Sequence, residues 1–160
     1  MKAIIIDDER LARLELRKLL QEFPEVEVID EAVNAEDALT KIEALQPDLI
    51  FLDIQMPSIN GIDFYKTVKQ DTMVIFTTAF SEYAVEGFTV SAVDYLLKPF
   101  TLARFQQAVA KATEYCNYKK QGNTEIPKYI FIRADYSLLE IALTDIVYIE
   151  GLDDYLKIHI

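Results

Sequence analysis

Residues 49–61, which read LIFLDIQMPSING, decide the fold of this 160-residue chain. The first six residues are apolar except for Asp53, and the segment that follows contains Pro57 and the pair Asn60-Gly61. A continuous apolar run of this length is typical of a strand buried on both faces of a parallel sheet, and a Pro- and Gly-containing segment predicts a turn. We therefore expect Asp53 to stand at the end of a central strand, before a turn that opens to solvent.

Working outward, apolar runs alternate with helical patterns through the first 120 residues. Strands are predicted at 3–6, 26–29, 49–54, 73–80 and 92–100. Helices are predicted at about 12–23, 35–45 (after the N-cap Asn34), 62–69, 81–90 and 101–119, the last with Leu102, Phe105, Val109 and Ala112 inward. Five such units predict an α/β domain, doubly wound and flavodoxin-like, with strand order 2-1-3-4-5 and its ligand site at the carboxyl ends of the strands.

Composition excludes several classes of function. The chain is globular in composition, with 51% hydrophobic residues, and its formal net charge of −11 does not predict a nucleic-acid-binding surface. A single cysteine, Cys116, excludes an internal disulfide, and a single histidine, His159, argues against a histidine-based metal site or hydrolase. Any metal ligands are therefore expected to be oxygens. No apolar run reaches the roughly 20 residues of a membrane span, so we expect a cytoplasmic protein.

The pattern changes after the first 120 residues. Residues 120–128 read as a polar linker, and residues 129–160 have strand composition with turn signals at 134–137, 144–145 and 151–154. Four short strands form a small all-β fragment that is too small to be stable alone. It is expected to pack on the first domain, to pair with another copy, or to be the opening of a larger domain.

Acidic residues follow two strands that are neighbours in the predicted sheet. Asp7 and Asp8 follow the first strand and Asp53 ends the third, and adjacent strands lie only about 4.8 Å apart. Carboxylates held this close repel one another unless a cation joins them, and oxygen ligands of this kind suit Mg²⁺. The alternative is that Asp7 or Asp8 caps the first helix, but it leaves the third acid unexplained.

Hydroxyls and a lysine follow the other two strands. Thr77 and Thr78 end the fourth strand, where β-propensity by itself accounts for threonine. Lys98 closes a buried run and needs a partner, for which the acidic cluster is the nearest candidate. A cleft with these charges favours a phosphoryl group that arrives in line on a carboxylate, and Asp53 is the predicted nucleophile.

These residues resemble the receiver domain of two-component response regulators. The match lies in Asp7-Asp8, in Asp53 within LIFLDIQMPSING, in the hydroxyl of FTTA and in Lys98-Pro99-Phe100, and it covers residues 1–118. Residues 74–100 are similar to receivers of the LytTR (LytR/AlgR-like) class. Residues 129–160 resemble the opening of a LytTR DNA-binding domain, which normally has about 100 residues. The resemblance therefore implies a receiver at 1–119, a linker at 120–128 and an incomplete DNA-binding domain at 129–160, without DNA binding by this chain alone.

The resemblance also implies a role for each site residue. It implies that Asp53 is the phosphoacceptor and that Lys98 bridges the phosphoryl group. The implied Mg²⁺ ligands are Asp8, Asp53, the backbone carbonyl of Gln55 and, through water, Asp7. The implied switch residues are Thr78 and Tyr95. The Lys98–Pro99 bond is expected to be cis. Tyr95 has the alternative of being a core aromatic.

The implied activity is signalling and not enzymatic turnover. A sensor histidine kinase phosphorylates Asp53, and only self-catalysed phosphotransfer and dephosphorylation are expected. Phosphorylation would draw Thr78 inward, let Tyr95 fill the space, and favour a homodimer through the face of the fourth and fifth predicted helices.

Two other classes of protein share parts of this pattern. A haloacid-dehalogenase-like phosphatase needs a second Asp two residues after its nucleophile, where this chain has Gln55. A flavodoxin relative needs a Ser/Thr/Gly-rich phosphate loop after the first strand, where this chain has DDER. Both alternatives are therefore weaker than the receiver.

Overall fold

The N-terminal part of the protein is a five-stranded parallel sheet. The computed structural model describes residues 1–68, 71–79, 92–120, 129–134, 137–152 and 155–160. The strands are β1 (Lys2–Ile6), β2 (Glu27–Ala32), β3 (Leu49–Asp53), β4 (Met73–Thr78) and β5 (Asp94–Leu97). Their order is β2-β1-β3-β4-β5, which confirms the predicted flavodoxin-like α/β fold. The helix expected at 81–90 lies outside the described residues.

Four helices are described around the sheet. They are α1 (Arg10–Leu20), α2 (Ala35–Leu45), α3 (Gly61–Thr67) and α4 (Leu102–Lys120). Asn34 caps α2 as predicted, since its side chain accepts a hydrogen bond from the Asp37 N–H. Helix α1 ends three residues earlier than predicted, so Phe23 lies in the turn that follows and is still buried. Lys120 is helical, although the linker was predicted to begin there.

Strand β2 lies later in the chain than the apolar run at 26–29 predicts. It is an edge strand, and its side chains are only partly buried until Ala32. The exposed edge lets Asp30 and Glu31 belong to the strand, where Lys41 and Arg17 pair with them. The strand prediction was wrong in position because acidic residues interrupt the hydrophobic signal without interrupting the strand.

Two apolar cores lie on the two faces of the sheet. One contains buried side chains of α1 and α4, and the other contains those of α2 and α3. In α4, Phe105, Val109 and Ala112 are buried as predicted. Leu102 is 46% exposed, so its predicted inward position was wrong. It stands at the first helical position, where the chain has only just turned onto the sheet.

The C-terminal part consists of two antiparallel hairpins. Strand β6 (Tyr129–Ala134) pairs with β7 (Ser137–Ala142), and β8 (Tyr148–Leu152) pairs with β9 (Tyr155–His159). The four predicted strands therefore form two separate two-stranded sheets. The Phe131 ring lies 5.6 Å from the Tyr115 ring and 4.9 Å from the Tyr118 ring, between ring centroids. The first hairpin thus contacts the last helix, which is one of the three predicted arrangements.

None of the helices in the described part of the chain combines the length and apolarity that a membrane crossing requires.

Candidate functional site

The site lies at the carboxyl ends of β1 and β3. Strands β1 and β3 are paired, with Ile6 opposite Leu52, so the residues that follow them face one another. Carboxylate oxygens of Asp7, Asp8 and Asp53 all lie within 4.8 Å of one another. Asp7 and Asp53 are buried and Asp8 is exposed, so the cluster is open to solvent on one side.

Lys98 connects this cluster to β5. Its Nζ lies 2.7 Å from Asp7 Oδ2 and 3.4 Å from Asp53 Oδ1. Burial lowers the pKa of Lys98, but the hydrogen bond to Asp7 and the charge of Asp53 outweigh it, so the pKa is raised. The Lys98 backbone N–H donates to the carbonyl of Thr78 at 2.7 Å, and the Lys98–Pro99 peptide is cis. The half-buried lysine therefore has the acidic partners that the sequence requires.

Asp53 has an unusual electrostatic environment. Burial raises its pKa, Lys98 lowers it, and the charges of Asp7 and Asp8 raise it again, so that it reaches about 6. Burial is the largest part of the cost of the ionised form, and the charges of Asp7 and Asp8 add to it. A divalent cation would remove this cost, and the convergent oxygens supply the donor atoms that Mg²⁺ prefers.

The alternative role of Asp7 as a helix cap is only partly met. The N-cap residue of α1 is Glu9, whose side chain makes no capping hydrogen bond. Asp7 Oδ1 accepts the Glu9 N–H at 2.9 Å, while Asp7 Oδ2 accepts from Lys98. Asp7 therefore joins the start of the helix to the charged cluster. A capping role explains its contact with Glu9 but not its contact with Lys98.

The structure also locates the predicted switch residues. Thr78 ends β4 and is 1% exposed. Tyr95 pairs with Phe76 across the β4–β5 ladder, and the two rings stack with centroids 5.2 Å apart. Burial raises the pKa of Tyr95 to about 12. The two side chains thus belong to neighbouring strands, with Tyr95 three residues before Lys98.

Thr77 and Gln55 flank Asp53. Thr77 is the partner of Asp53 in the β3–β4 register and is fully buried; within the described residues its Oγ1 has no hydrogen-bond partner. Gln55 is exposed and forms an isolated bridge with Asn60, which closes the turn after β3. This bridge fixes the backbone that carries the predicted carbonyl ligand.

Sequence reasoning missed Gly61. A Cβ at this position would lie 2.2 Å from the backbone oxygen of Asp53, so only glycine fits without a shift of the backbone. The Gly61 N–H donates to the carbonyl of Ile54 at 2.7 Å, and the Asn60 side chain accepts the Ile62 N–H. Gly61 therefore brings the start of α3 against Asp53. The adjacent Asn60-Gly61 pair was a visible turn signal, but the close approach was not.

Sequence reasoning also missed Arg13. Its Nη1 donates to the backbone carbonyl of Asp7 at 2.7 Å, and its Nε donates to Glu31. Only 12% of its side chain is exposed. Arg13 thus holds the backbone at the acidic turn, and no local pattern in the sequence distinguishes it from other arginines of α1.

A family model for the response regulator receiver domain matches residues 3–110. The chain belongs to the response regulator receiver family. Receiver domains are phosphoacceptor signalling modules of two-component systems and are not classical enzymes. The acidic cluster and Lys98 lie within the matched region of this receiver.

Curated relatives and a solved structure agree with this assignment. The receiver is 42% identical over 129 residues to the sensory transduction protein LytT of Bacillus cereus, with 79% of this chain and 50% of that one covered. It is 38% identical over 166 residues to the sensory transduction protein LytR of Staphylococcus haemolyticus, with 96% and 65% covered.

The crystal structure of the response regulatory domain of protein mrkE from Klebsiella pneumoniae superimposes with a TM-score of 0.69 at 33% identity. The match covers 74% of this chain and 99% of that one. The chain spans about half the length of most curated relatives it matches. The LytT- and LytR-named relatives support the LytTR class.

Proposed function

We propose that the protein is a response regulator in which a sensor histidine kinase phosphorylates Asp53. The observation that carries this proposal is the position of Lys98, whose Nζ lies within 3.4 Å of both Asp7 and Asp53 beside a cluster of three carboxylates. A fixed ammonium beside an acceptor carboxylate can bind an incoming phosphoryl oxygen while the carboxylate attacks.

The transfer itself needs little from the protein beyond position and charge. A carboxylate oxygen of Asp53 attacks phosphorus in line, and the bond from phosphorus to the donor nitrogen of phosphohistidine, or to the oxygen of an acyl phosphate, breaks. The electron pair of that bond leaves with the donor. With a pKa of about 6, Asp53 is mostly ionised at neutral pH and is therefore ready to attack. Lys98 offsets part of the charge of the phosphoryl group.

Mg²⁺ fits the site and would be held by Asp8, Asp53 and the backbone carbonyl of Gln55, with Asp7 contributing through water. The closeness of the three carboxylates supports this assignment. When bound, the ion supplies charge compensation for the carboxylates and the phosphoryl group. Gly61 and Arg13 would support these ligands, since they hold the backbones of Asp53 and Asp7.

Phosphorylation is proposed to act through Thr78 and Tyr95. The new oxygens would draw the Thr78 hydroxyl inward, and the Tyr95 ring would move into the space released. The stacking of Tyr95 on Phe76, two residues before Thr78, supports a coupled movement. The expected result is a change of the surface beside β5 and a homodimer, which sizing with and without beryllofluoride would detect.

We propose a receiver at residues 1–119, a linker at 120–128, and the N-terminal part of a LytTR-type DNA-binding domain at 129–160. The β-rich tail and the relatives named LytT and LytR support this division. A full-length version would regulate transcription in the cytoplasm, with phosphorylation controlling its DNA-binding domain. This chain by itself is not expected to bind DNA, because its tail carries a net negative charge, as the phosphates of DNA do.

Intact mass spectrometry after incubation with acetyl phosphate and Mg²⁺ tests the proposal. The wild-type protein should gain the mass of one phosphoryl group, and EDTA should prevent the gain. Asp53→Asn should gain nothing, whereas Asp63→Asn, which changes an exposed carboxylate on α3, should react like the wild type. A phosphoryl adduct on Asp53→Asn would refute the assigned acceptor.

A further inference from the structure

An ion pair outside the acidic cluster joins the start of β5 to the start of α4. Arg104 Nη1 lies 2.8 Å from Asp94 Oδ2 and Arg104 Nη2 lies 2.7 Å from Asp94 Oδ1, which is a two-point contact. Burial raises the pKa of Asp94, but the Arg104 hydrogen bonds, Lys111 and the Tyr95 N–H together lower it. The side chain of Asp94 is only 10% exposed and that of Arg104 is 37% exposed, so the pair is partly buried, and its two contacts fix its geometry.

The same two side chains bind both backbone groups of Tyr95. Arg104 Nη2 donates to the Tyr95 carbonyl at 2.8 Å, and Asp94 Oδ1 accepts the Tyr95 N–H at 2.9 Å. Strand β5 is the edge of the described sheet, where one side of the strand has no neighbouring strand to bind its backbone. The pair therefore supplies Tyr95 with the two backbone hydrogen bonds that a sixth strand would supply.

Tyr95 lies between two parts of the site. Its ring stacks on Phe76 of β4, and Lys98, three residues further along, reaches Asp7 and Asp53. A displacement of the β5 backbone at Tyr95 would therefore disturb both the ring and the lysine. The start of α4 is fixed as well, because Thr101 Oγ1 accepts the Arg104 N–H.

We propose that Arg104 is a positioning residue for Tyr95: bound to Asp94, it holds both backbone hydrogen-bonding groups of Tyr95 on the open edge of β5. This inference rests on the proposed function only where it assigns Tyr95 a part in the response to phosphorylation. With the backbone held, the response is confined to the side chain of Tyr95, and Lys98 keeps its place beside Asp53. Without Arg104, the β5 backbone at Tyr95 is no longer held in place, and the movement of the Tyr95 side chain on phosphorylation is weakened.

Amide hydrogen exchange of the full chain, followed by NMR without any phosphoryl donor, tests the positioning. In Arg104→Gln the Asp94 carboxylate loses its fixed orientation, and the Tyr95 amide should exchange about tenfold faster, the factor expected for one lost hydrogen bond. The amides of β1 and β3 should be unchanged. Lys111→Gln is the matched control, because Lys111 contacts the same carboxylate at 3.4 Å from the next turns of α4. It should leave Tyr95 protected.

Arg104→Lys separates the forked geometry from the charge. Lysine keeps the charge but has no planar fork, so the Tyr95 amide should exchange nearly as fast as in Arg104→Gln. Wild-type protection of Tyr95 in either Arg104 variant, with the amides of β1 and β3 intact, would overturn the proposal. If Arg104→Gln loses protection throughout the sheet, the Tyr95 amide exchange of Arg104→Lys is compared with that of Lys111→Gln. Faster exchange in Arg104→Lys supports the proposal, and equal exchange overturns it.

The response to beryllofluoride is the readout that a merely structural role would not move. In Arg104→Gln, the beryllofluoride-induced shift of the Tyr95 ring resonances should fall to less than about half of the wild-type shift, while bound beryllofluoride measured by fluorine NMR stays the same. A full shift at equal loading would overturn the proposed effect on the response. Absence of bound beryllofluoride in the wild type would count against the proposed phosphoryl site, and the exchange measurements would still decide the role of Arg104.

Discussion

Replacement of Asp53 by asparagine should stabilise the metal-free protein. Asparagine keeps the shape of aspartate and removes the charge that burial, Asp7 and Asp8 all disfavour. The raised pKa of Asp53 means that the folded protein binds a proton more tightly than the unfolded chain does. The ionised form of Asp53 therefore lowers the free energy of unfolding at neutral pH.

The magnitude follows from the two pKa values. A pKa of about 6 in the folded protein against 3.8 for the ordinary carboxyl corresponds to about 3 kcal/mol at pH values well above 6. The pKa of about 6 already includes the attraction of Lys98, so about 3 kcal/mol is the largest possible gain. Because a buried asparagine amide that lacks full hydrogen bonding costs about 1–2 kcal/mol, we expect a net gain of about 1–2 kcal/mol, or about 2–8 °C in Tm for a chain of this size.

The sign of the pH dependence is fixed by the direction of the pKa shift. The cost of ionised Asp53 is complete above pH 6, decreases as the pH falls, and vanishes below the ordinary pKa of 3.8. The advantage of Asp53→Asn should therefore fall by about 1.4 kcal/mol between pH 7.5 and pH 5 and so largely disappear, by the same linkage relation. Mg²⁺ should stabilise the wild type more than the variant and so reduce the difference.

Urea unfolding in EDTA at the two pH values measures this difference. Asp63→Asn, on the exposed surface of α3, is the control and should stay within about 0.5 kcal/mol of the wild type. If Asp53→Asn unfolds at the wild-type urea concentration at neutral pH without metal, the electrostatic cost assigned to Asp53 does not exist. An advantage that grows as the pH falls would contradict the assigned sign.

Three further changes probe the packing around the site and the tail. Gly61→Ala should destabilise the protein by more than about 2 kcal/mol in urea unfolding, because the added Cβ would meet the Asp53 carbonyl at 2.2 Å. Lys98→Met should cost about 2 kcal/mol or more without metal, since it leaves Asp7 and Asp53 without their cation; added Mg²⁺ should restore part of the Tm, and no restoration would count against a cation site. Phe131→Ala should speed amide exchange across Tyr129–Ala134 several-fold, because it removes the ring contacts to α4; unchanged exchange would show that these contacts do not hold the hairpin.

The part of the site that the sequence predicted consists of residues at the ends of buried strands. An apolar run shows where each strand of a doubly wound sheet lies, and the parallel order brings the carboxyl ends together. Asp7, Asp8, Asp53 and Lys98 could therefore be placed in one cleft before any coordinate was known, and the structure brings them together. The same reasoning misplaced β2, because an exposed edge strand carries charged residues and has no continuous apolar run.

Contacts between distant segments were outside the reach of sequence reasoning. Arg13 looks like any helical arginine until the packing of α1 places it against the Asp7 carbonyl. The Asn60-Gly61 pair indicates a turn in the sequence, but it does not indicate how closely Gly61 approaches the backbone oxygen of Asp53. The tail was predicted as four strands, yet its division into two hairpins depends on pairing that short strands do not specify by composition.

The order of apolar and polar residues by itself determined the α/β sheet and the acids at its edge, because burial imposes a local periodicity that can be read along the chain. Only the tertiary structure decided how the backbone at Tyr95 is held. The ion pair of Asp94 and Arg104 joins residues ten positions apart on two different elements. Its geometry depends on how α4 crosses the end of β5, and no local preference encodes that crossing.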